Sequence, residues 1–408
     1  MAIRAARPAP TKRFHKRKDA ILRAAVDVLN LKGVKGMTLS DIASKLDLVP
    51  TAVMYYFRNK EELAASCFHR SIDVYTMLLE QAERGSTARQ ALELFVRGFF
   101  EHRCRIAVGE ADQMAVFNDV RALNDPGVGK AYETMFRRTR SLLLKSHEIG
   151  MLDRAECNAR THLLLSQLFW SVVWIEHFHA DDYGLLANHT LDILLGGLAR
   201  NPGNWKPQPL PLHSAPTSDR STEARETFLR AATVLINEQG YLGASVQKIS
   251  EHLNVTKGAF YHHHGAKDDL VEACFTRTLE MMRHAQHEAA AMTHTGYANL
   301  VTASVALIQY QLSGSAPLLR TSALTSVPEN IYGELIIKFQ QISGRFSLVC
   351  SDGIADGSLR PINAAIAAQM ITSLINASAE LHFWAPSATP QDGARIYARP
   401  LFEGLLTK

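Results

Sequence analysis

Three consecutive histidines, His262, His263 and His264, are the first residues here that invite chemistry, because imidazole is a common metal ligand. On a helix, neighbouring side chains point about 100° apart, so such a run converges poorly on one ion. No metal site is expected there. His177 and His179 lie two apart and face different sides of an expected helix. The five cysteines, Cys67, Cys104, Cys157, Cys274 and Cys350, are scattered and form no C-x-x-C pair. That argues against a disulfide framework or a zinc knuckle. The chain has no G-x-S-x-G elbow, Gly-rich phosphate loop or H-E-x-x-H motif. Neither an enzyme nor a cofactor is therefore expected. What remains is cationic: Arg4, Arg7, Lys12, Arg13, Lys16, Arg17 and Lys18 cluster before the first sustained apolar periodicity. A basic, flexible arm over 1–14 suits a polyanionic partner, or serves only as a solubilising tail.

The elements that would position such chemistry must fill 408 residues, room for two to four domains. With 47% hydrophobic and 21% charged residues and a net charge of +4, the composition is that of an ordinary globular protein. No apolar run reaches the roughly eighteen residues a bilayer span needs, so no membrane partner is expected. The basic N-terminus leads into no apolar stretch, which is not how a secretory signal reads, and the expected location is cytoplasmic.

Self-similarity organises the chain. Arg17–Leu63 aligns without gaps on Ala224–Leu270 at a spacing of 207 residues. Arg23 falls on Arg230, Asn30 on Asn237, Gly33 on Gly240, Ile42 on Ile249, Ala52 on Ala259, Lys60 on Lys267 and Cys67 on Cys274. Roughly a quarter of the aligned positions are identical. Between the copies, residues 201–221 hold five prolines and no periodicity. That composition reads as a semi-rigid linker with a reach of roughly 60 Å if extended.

Each copy shows three short helical patterns. Ile21, Ala24, Ala25, Val28 and Leu29 share a face that ends at Gly33; Phe228, Ala231, Ala232, Leu235 and Ile236 do the same before Gly240. Thr38 or Ser245 starts a second helix, with its hydroxyl able to cap free N–H groups. A turn through Asp47 or Asn254 leads to a third helix, Val49–Phe57 or Thr256–His264. Helix, tight turn, helix is a DNA-reading geometry. The remainders, about 66–200 and 273–408, read as long amphipathic helices. The expected fold class is all-α: two three-helix helix-turn-helix domains (15–65 and 222–272), each followed by a helical bundle (66–200 and 273–408). Phe169, Trp170, Trp174, His177 and His179 would line a pocket for a small apolar or aromatic effector, or a helix-bundle interface.

Ser245-Val246-Gln247-Lys248-Ile249-Ser250, then Val255-Thr256-Lys257-Gly258-Ala259-Phe260-Tyr261-His262 and Lys267-Asp268-Asp269-Leu270, closely resemble the tetracycline-repressor (TetR) family. The first copy is similar at Thr38-Leu39-Ser40-Asp41-Ile42-Ala43, Tyr56-Phe57 and Asn59-Lys60-Glu61-Glu62-Leu63. The resemblance implies a ligand-modulated regulator, more a repressor than an activator, whose partner is a double-stranded DNA operator. It implies that Lys60 and Lys267 meet phosphate at the start of a fourth helix, aided by the helix dipole. It further implies that Thr38 and Ser245 donate to the DNA backbone, and that Pro50, Thr51, Ala52, Tyr55 and Tyr56 face the groove. In the second copy Lys257, Gly258, Ala259, Tyr261, His262 and His263 would do so. For Tyr56 and His263 packing within the head stays open, whereas Val53, Phe57 and Phe260 belong to the core. Arg23 and Arg230 are read as solvated.

The copies depart from the pattern differently. The first has Val49 where Ser or Thr caps, Pro50-Thr51 for Lys-Gly and Met54 for Tyr; the second has His263-His264 for Tyr-Phe and no capping residue at Ala266. Asn59 with Glu62 would form a capping box. The heads should therefore read different half-sites. Two assemblies follow, an intramolecular pseudo-dimer of the two halves, which is favoured, or a homodimer with four heads. An alternative function is a protein–protein regulatory module in which only the second half binds DNA.

Overall fold

The structure, a computed structural model, describes residues 11–212, 220–256, 267–314, 317–320, 327 and 329–407. The regular structure of these residues is helical, with no strand beyond an isolated bridge between Ala199 and Leu359. Among them no helix is long and apolar enough to cross a membrane, and no group of three or more His, Cys, Asp or Glu is placed to hold a metal.

The first head comprises α1 (Lys12–Gly36), α2 (Leu39–Lys45) and α3 (Pro50–Met54). Thr11 caps α1, so residues 12–14 of the expected arm are already helical. Gly33 breaks α1 at φ 66°, and Gly240 does so at φ 72° in the second copy, a left-handed conformation that glycine adopts freely. The turn into the reading helix repeats this economy: Asp47 and Asn254 both sit at φ 53°, which short polar side chains tolerate. Helix α3 is shorter than Val49–Phe57, although main-chain bonds from Tyr55, Tyr56 and Phe57 continue the turn. Lever helix α4 (Lys60–Ala82) then leads into α5 (Ala88–Ala107), α6 (Pro126–Leu143), α7 (His147–Gly150), α8 (Arg154–Trp174) and α9 (Tyr183–Gly196).

The second half repeats the plan with α10 (Arg220–Gly243), α11 (Val246–His252), lever helix α12 (Lys267–Met292), α13 (Gly296–Leu312), α14 (Glu329–Ala355), α15 (Ala364–Ala377), α16 (Leu381–Trp384) and α17 (Pro390–Glu403). The expected linker differs from a free spacer over its described part. Gly203 donates to Glu403 (2.7 Å), Trp205 packs on Phe402 and Gln208 donates to Thr302 (3.1 Å). Its tryptophan and leucines provide apolar area that a purely Pro-rich spacer would lack.

The halves pack on each other through α8 and α9 against α15 and α17. One continuous apolar core runs from the first head through both bundles, while the second head keeps a core of its own around Phe228, Ile236 and Phe275. The contact is reciprocal. Gly197 and Gly404, 207 residues apart, end α9 and α17 in left-handed conformations (φ 68° and 108°). A Cβ on Gly197 would lie 2.5 Å from the Phe402 carbonyl oxygen, and one on Gly404 2.9 Å from that of Leu195. Leu195 and Phe402 are themselves 207 apart. Likewise His162 Nε2 meets the Ala377 carbonyl (2.8 Å) and Trp170 Nε1 donates to Gln369 Oε1 (3.2 Å), different bonds between residue pairs that swapping the halves interchanges. That is the self-complementarity of a two-fold interface. Gly197→Ala adds backbone strain of about 1–2 kcal/mol plus a main-chain clash. It should lower the thermal midpoint well beyond Gly109→Ala, where φ is 79° but nothing lies within 4 Å, as calorimetry would show.

Candidate nucleic-acid interface and effector cavity

On the first head Pro50, Thr51 and Tyr55 are exposed, Tyr55 by 74%, and Ala52 is half-buried; Val53 and Phe57 are core. Tyr56 is half-buried, with its ring 4.8 Å from that of Phe14 on α1. Thr38 is engaged inside the head: its oxygen accepts from Asp41 N (3.1 Å) while its hydroxyl donates to Asp41 Oδ2 (2.8 Å). Asp41 in turn takes Lys32 Nζ at 2.7 Å. Burial pushes the Asp41 carboxyl up, but the Lys32 and Thr38 contacts outweigh it and hold the group below its ordinary value. At the equivalent places on the second head, Lys248 donates to Gln239 (2.6 Å), and Ser245 caps α11 by accepting from Lys248 N (3.2 Å). The cation and its partner have exchanged sides, so the two heads differ in charge at this face.

Lys60 Nζ donates to the carbonyls of Lys35 (3.1 Å) and Val34 (3.5 Å), satisfying the free end of α1. The Asn59 cap is present through Glu62 N (2.8 Å), but the reciprocal bond differs from a capping box: Glu62 accepts from Arg58 N (2.9 Å), not from Asn59. The reciprocal box lies at Thr38 and Asp41 instead. Lys267 opens α12; Lys257, Gly258, Ala259, Tyr261, His262 and His263 lie outside the described residues.

Arg23 and Arg230 are not merely solvated. Arg23 and Arg70 converge on Asp112, while Arg230 and Arg277 converge on Glu226 at 3.0 and 2.8 Å. The two arginine pairs are equivalent in the repeat, and each ties its head to its lever helix. Cys67 and Cys274 are also equivalent. Both are buried, point at the carbonyls of Leu22 and Leu229, and have thiols pushed up to about 12 by burial.

A feature that sequence reasoning missed joins heads to bundles. Asn30 donates to the Met114 carbonyl and accepts from Val116 N, both at 2.9 Å, and Ser71 accepts from Ala115 N at 2.8 Å. In the second half Asn237 donates to the Leu318 carbonyl and accepts from Arg320 N, both at 2.9 Å, and Thr278 accepts from Leu319 N at 2.8 Å. The signal was the identity of Asn30 with Asn237, a polar residue kept directly after the apolar Leu29 and Ile236.

Val116 and Arg320 both reach the wall of a cavity of about 610 Å³. Phe169, Trp170, Trp174 and His177 line it together, and α14 and α15 of the second half close it. Arg320 pairs across the wall with Glu380 at 3.1 Å. The short helical turn Phe117–Leu123, which starts at this wall, touches the first helices of both heads.

The first head is a three-helix unit, and the described residues of the second repeat its first two helices. The family model described as "Bacterial regulatory proteins, tetR family" matches residues 21–67 and again 228–274, so the chain carries two segments similar to this family's N-terminal domain. The Transposon Tn10 TetC protein of Escherichia coli is 40% identical over 57 residues, 14% of this chain and 29% of that protein. The HTH-type transcriptional repressor AcnR of Corynebacterium glutamicum is 35% identical over 57 residues, 14% of this chain and 30% of that one. The match thus spans under a third of these curated relatives. Among solved structures, the TetR family regulator PfmR from Thermus thermophilus has a TM-score of 0.37 at 21% identity, covering 44% of this chain and 98% of that one. AibR in complex with isovaleryl coenzyme A and operator DNA has a TM-score of 0.36 at 15% identity, covering 45% and 100%.

Two outcomes are expected. Alkylation of the native protein near pH 8 should modify half-buried Cys104 while sparing Cys67, Cys274 and Cys350, read by mass spectrometry before and after unfolding. Asn237→Ala strips two main-chain groups of their partner, worth about 1–3 kcal/mol. Hydrogen exchange at the Arg320 amide should accelerate accordingly, and unchanged exchange would show that the residue does not hold the segment.

Proposed function

We propose that this protein is a transcriptional regulator, acting as a repressor, that reads an operator with two non-identical heads carried by one chain and is modulated by a small molecule. The observation that carries the proposal is the reciprocal packing of α8 and α9 on α15 and α17. It supports an intramolecular pseudo-dimer, because a surface already matched to its own repeat has no need of a second chain. The first helices of the two heads, α1 and α10, also touch, with a Cβ on Gly243 lying 3.8 Å from Lys35 Cγ. Heads placed by a common core can meet successive major grooves about 34–36 Å apart only in a narrow range of arrangements. A ligand that repacks that core then changes operator affinity.

The reading surface on the first head would be Pro50, Thr51, Tyr55 and the edge of Tyr56, with Thr38 and Lys60 turning outward to phosphate. On the second, Lys257, Tyr261, His262 and His263 would read bases while Ser245 and Lys267 meet the backbone. Because the surfaces differ, the half-sites should differ too. A second reading, in which only the second half binds DNA, is favoured by the engagement of Lys60 with the end of α1.

A duplex selected from a random pool separates the two. With two working heads, Lys60→Ala and Lys267→Ala each weaken binding by a similar factor, on the order of tenfold. Each should also lower the dependence of log affinity on log salt by about 0.9. Loss confined to Lys267→Ala would favour the one-headed reading, and loss in neither would contradict both.

A further inference from the structure

The spacing that relates the heads also relates the walls of the cavity. His162 and Gln369 both line it, as do Ser166 and Ser373, and Phe169 and Asn376. So do Trp170 and Ala377, Val173 and Glu380, and Tyr132 and Phe339, every pair 207 residues apart. The cavity therefore straddles the pseudo-two-fold axis, beside the bond from Ser373 Oγ to the Ser166 carbonyl (3.2 Å).

In a homodimer a cavity on the axis has identical walls, and an unsymmetrical ligand must compromise between them. Here the walls have diverged. The first half supplies aromatic faces, Phe169, Trp170 and Trp174. The second places Asn376 where the first has Phe169 and Glu380 where the first has Val173, with Gln369 and Arg320 beside them. The charges are already matched: Arg320 with Glu380, and Glu176 with Arg103 at 3.7 Å. Burying a further net charge against paired walls would be unfavourable.

We propose that the cavity binds one uncharged, amphiphilic aromatic molecule per chain, its rings against the first half and its hydrogen-bonding end toward the second. The regulatory meaning of this site rests on the proposed repressor reading, but occupancy does not require DNA. With Val116 and Arg320 in the wall and latched to Asn30 and Asn237, a single ligand bears on both heads at once.

The probe is Prodan, a neutral naphthalene carrying a ketone, titrated into the full chain and followed by its fluorescence. The expected result is a saturable blue shift with one molecule per chain, and binding of the anionic 1-anilinonaphthalene-8-sulfonate at least about tenfold weaker. Phe169→Asn, which copies the second wall onto the first, should weaken Prodan by about tenfold or more. Asn376→Phe, which copies the first wall onto the second, should shift preference about tenfold toward the more apolar N-phenyl-1-naphthylamine. Circular dichroism confirms folding, with Asn376→Leu standing in if the larger side chain does not fold. Two equivalent sites, no saturable binding, tighter binding of the anion or equal effects of the two swaps would each overturn the inference. Operator affinity measured without probe keeps the cases apart: intact DNA binding with no Prodan site refutes this inference alone.

Discussion

Everything in this molecule depends on the reciprocal seat where the last helices of each half end against the other. Gly197 lies on the Phe402 carbonyl and Gly404 on that of Leu195, too close for any side chain. The main chains are then stitched: Leu198 N donates to Phe402 O at 2.8 Å and Leu405 N to Leu194 O at 2.7 Å. A flexible interface would let the heads drift. Here backbone, not side chains, makes the closest approach.

From that seat the constraint propagates outward. Helices α8 and α15 lie across the axis and enclose the cavity; the segments 114–116 and 318–320 border it and are clasped by an asparagine from the first helix and a hydroxyl from the lever helix of each head. Buried polar groups in such clasps are costly to leave unpaired, so the clasped segment and the head move as a unit. Repeated halves that differ in sequence thus give the chain something two identical subunits lack, a cavity on the axis with two different walls.

Much of this was legible in the residues, and what was not has a physical cause. The heads could be read because their signals are local: Gly33 and Gly240 stop a helix, Thr38 and Ser245 start one, and Asp47 and Asn254 accept the left-handed turn between. The spacing of 207 carried beyond the heads to Gly197 and Gly404, although their role shows only when the partner main chain is in place. The arginines looked solvated because Asp112 approaches Arg23 from far along the sequence, whereas Glu226 lies one turn from Arg230. Phe169, Trp170, Trp174 and His177 marked only one wall of the cavity. The opposite wall reads as ordinary helix, and its polarity gains meaning only against the aromatic wall it faces.

The central claim is that one chain holds both halves of the reading device. Native mass spectrometry of the protein on its selected operator tests it most directly. The account predicts a complex of one 45.2 kDa chain per duplex at every protein concentration that saturates the site. Two chains on each duplex, with no single-chain complex at lower protein, would contradict it.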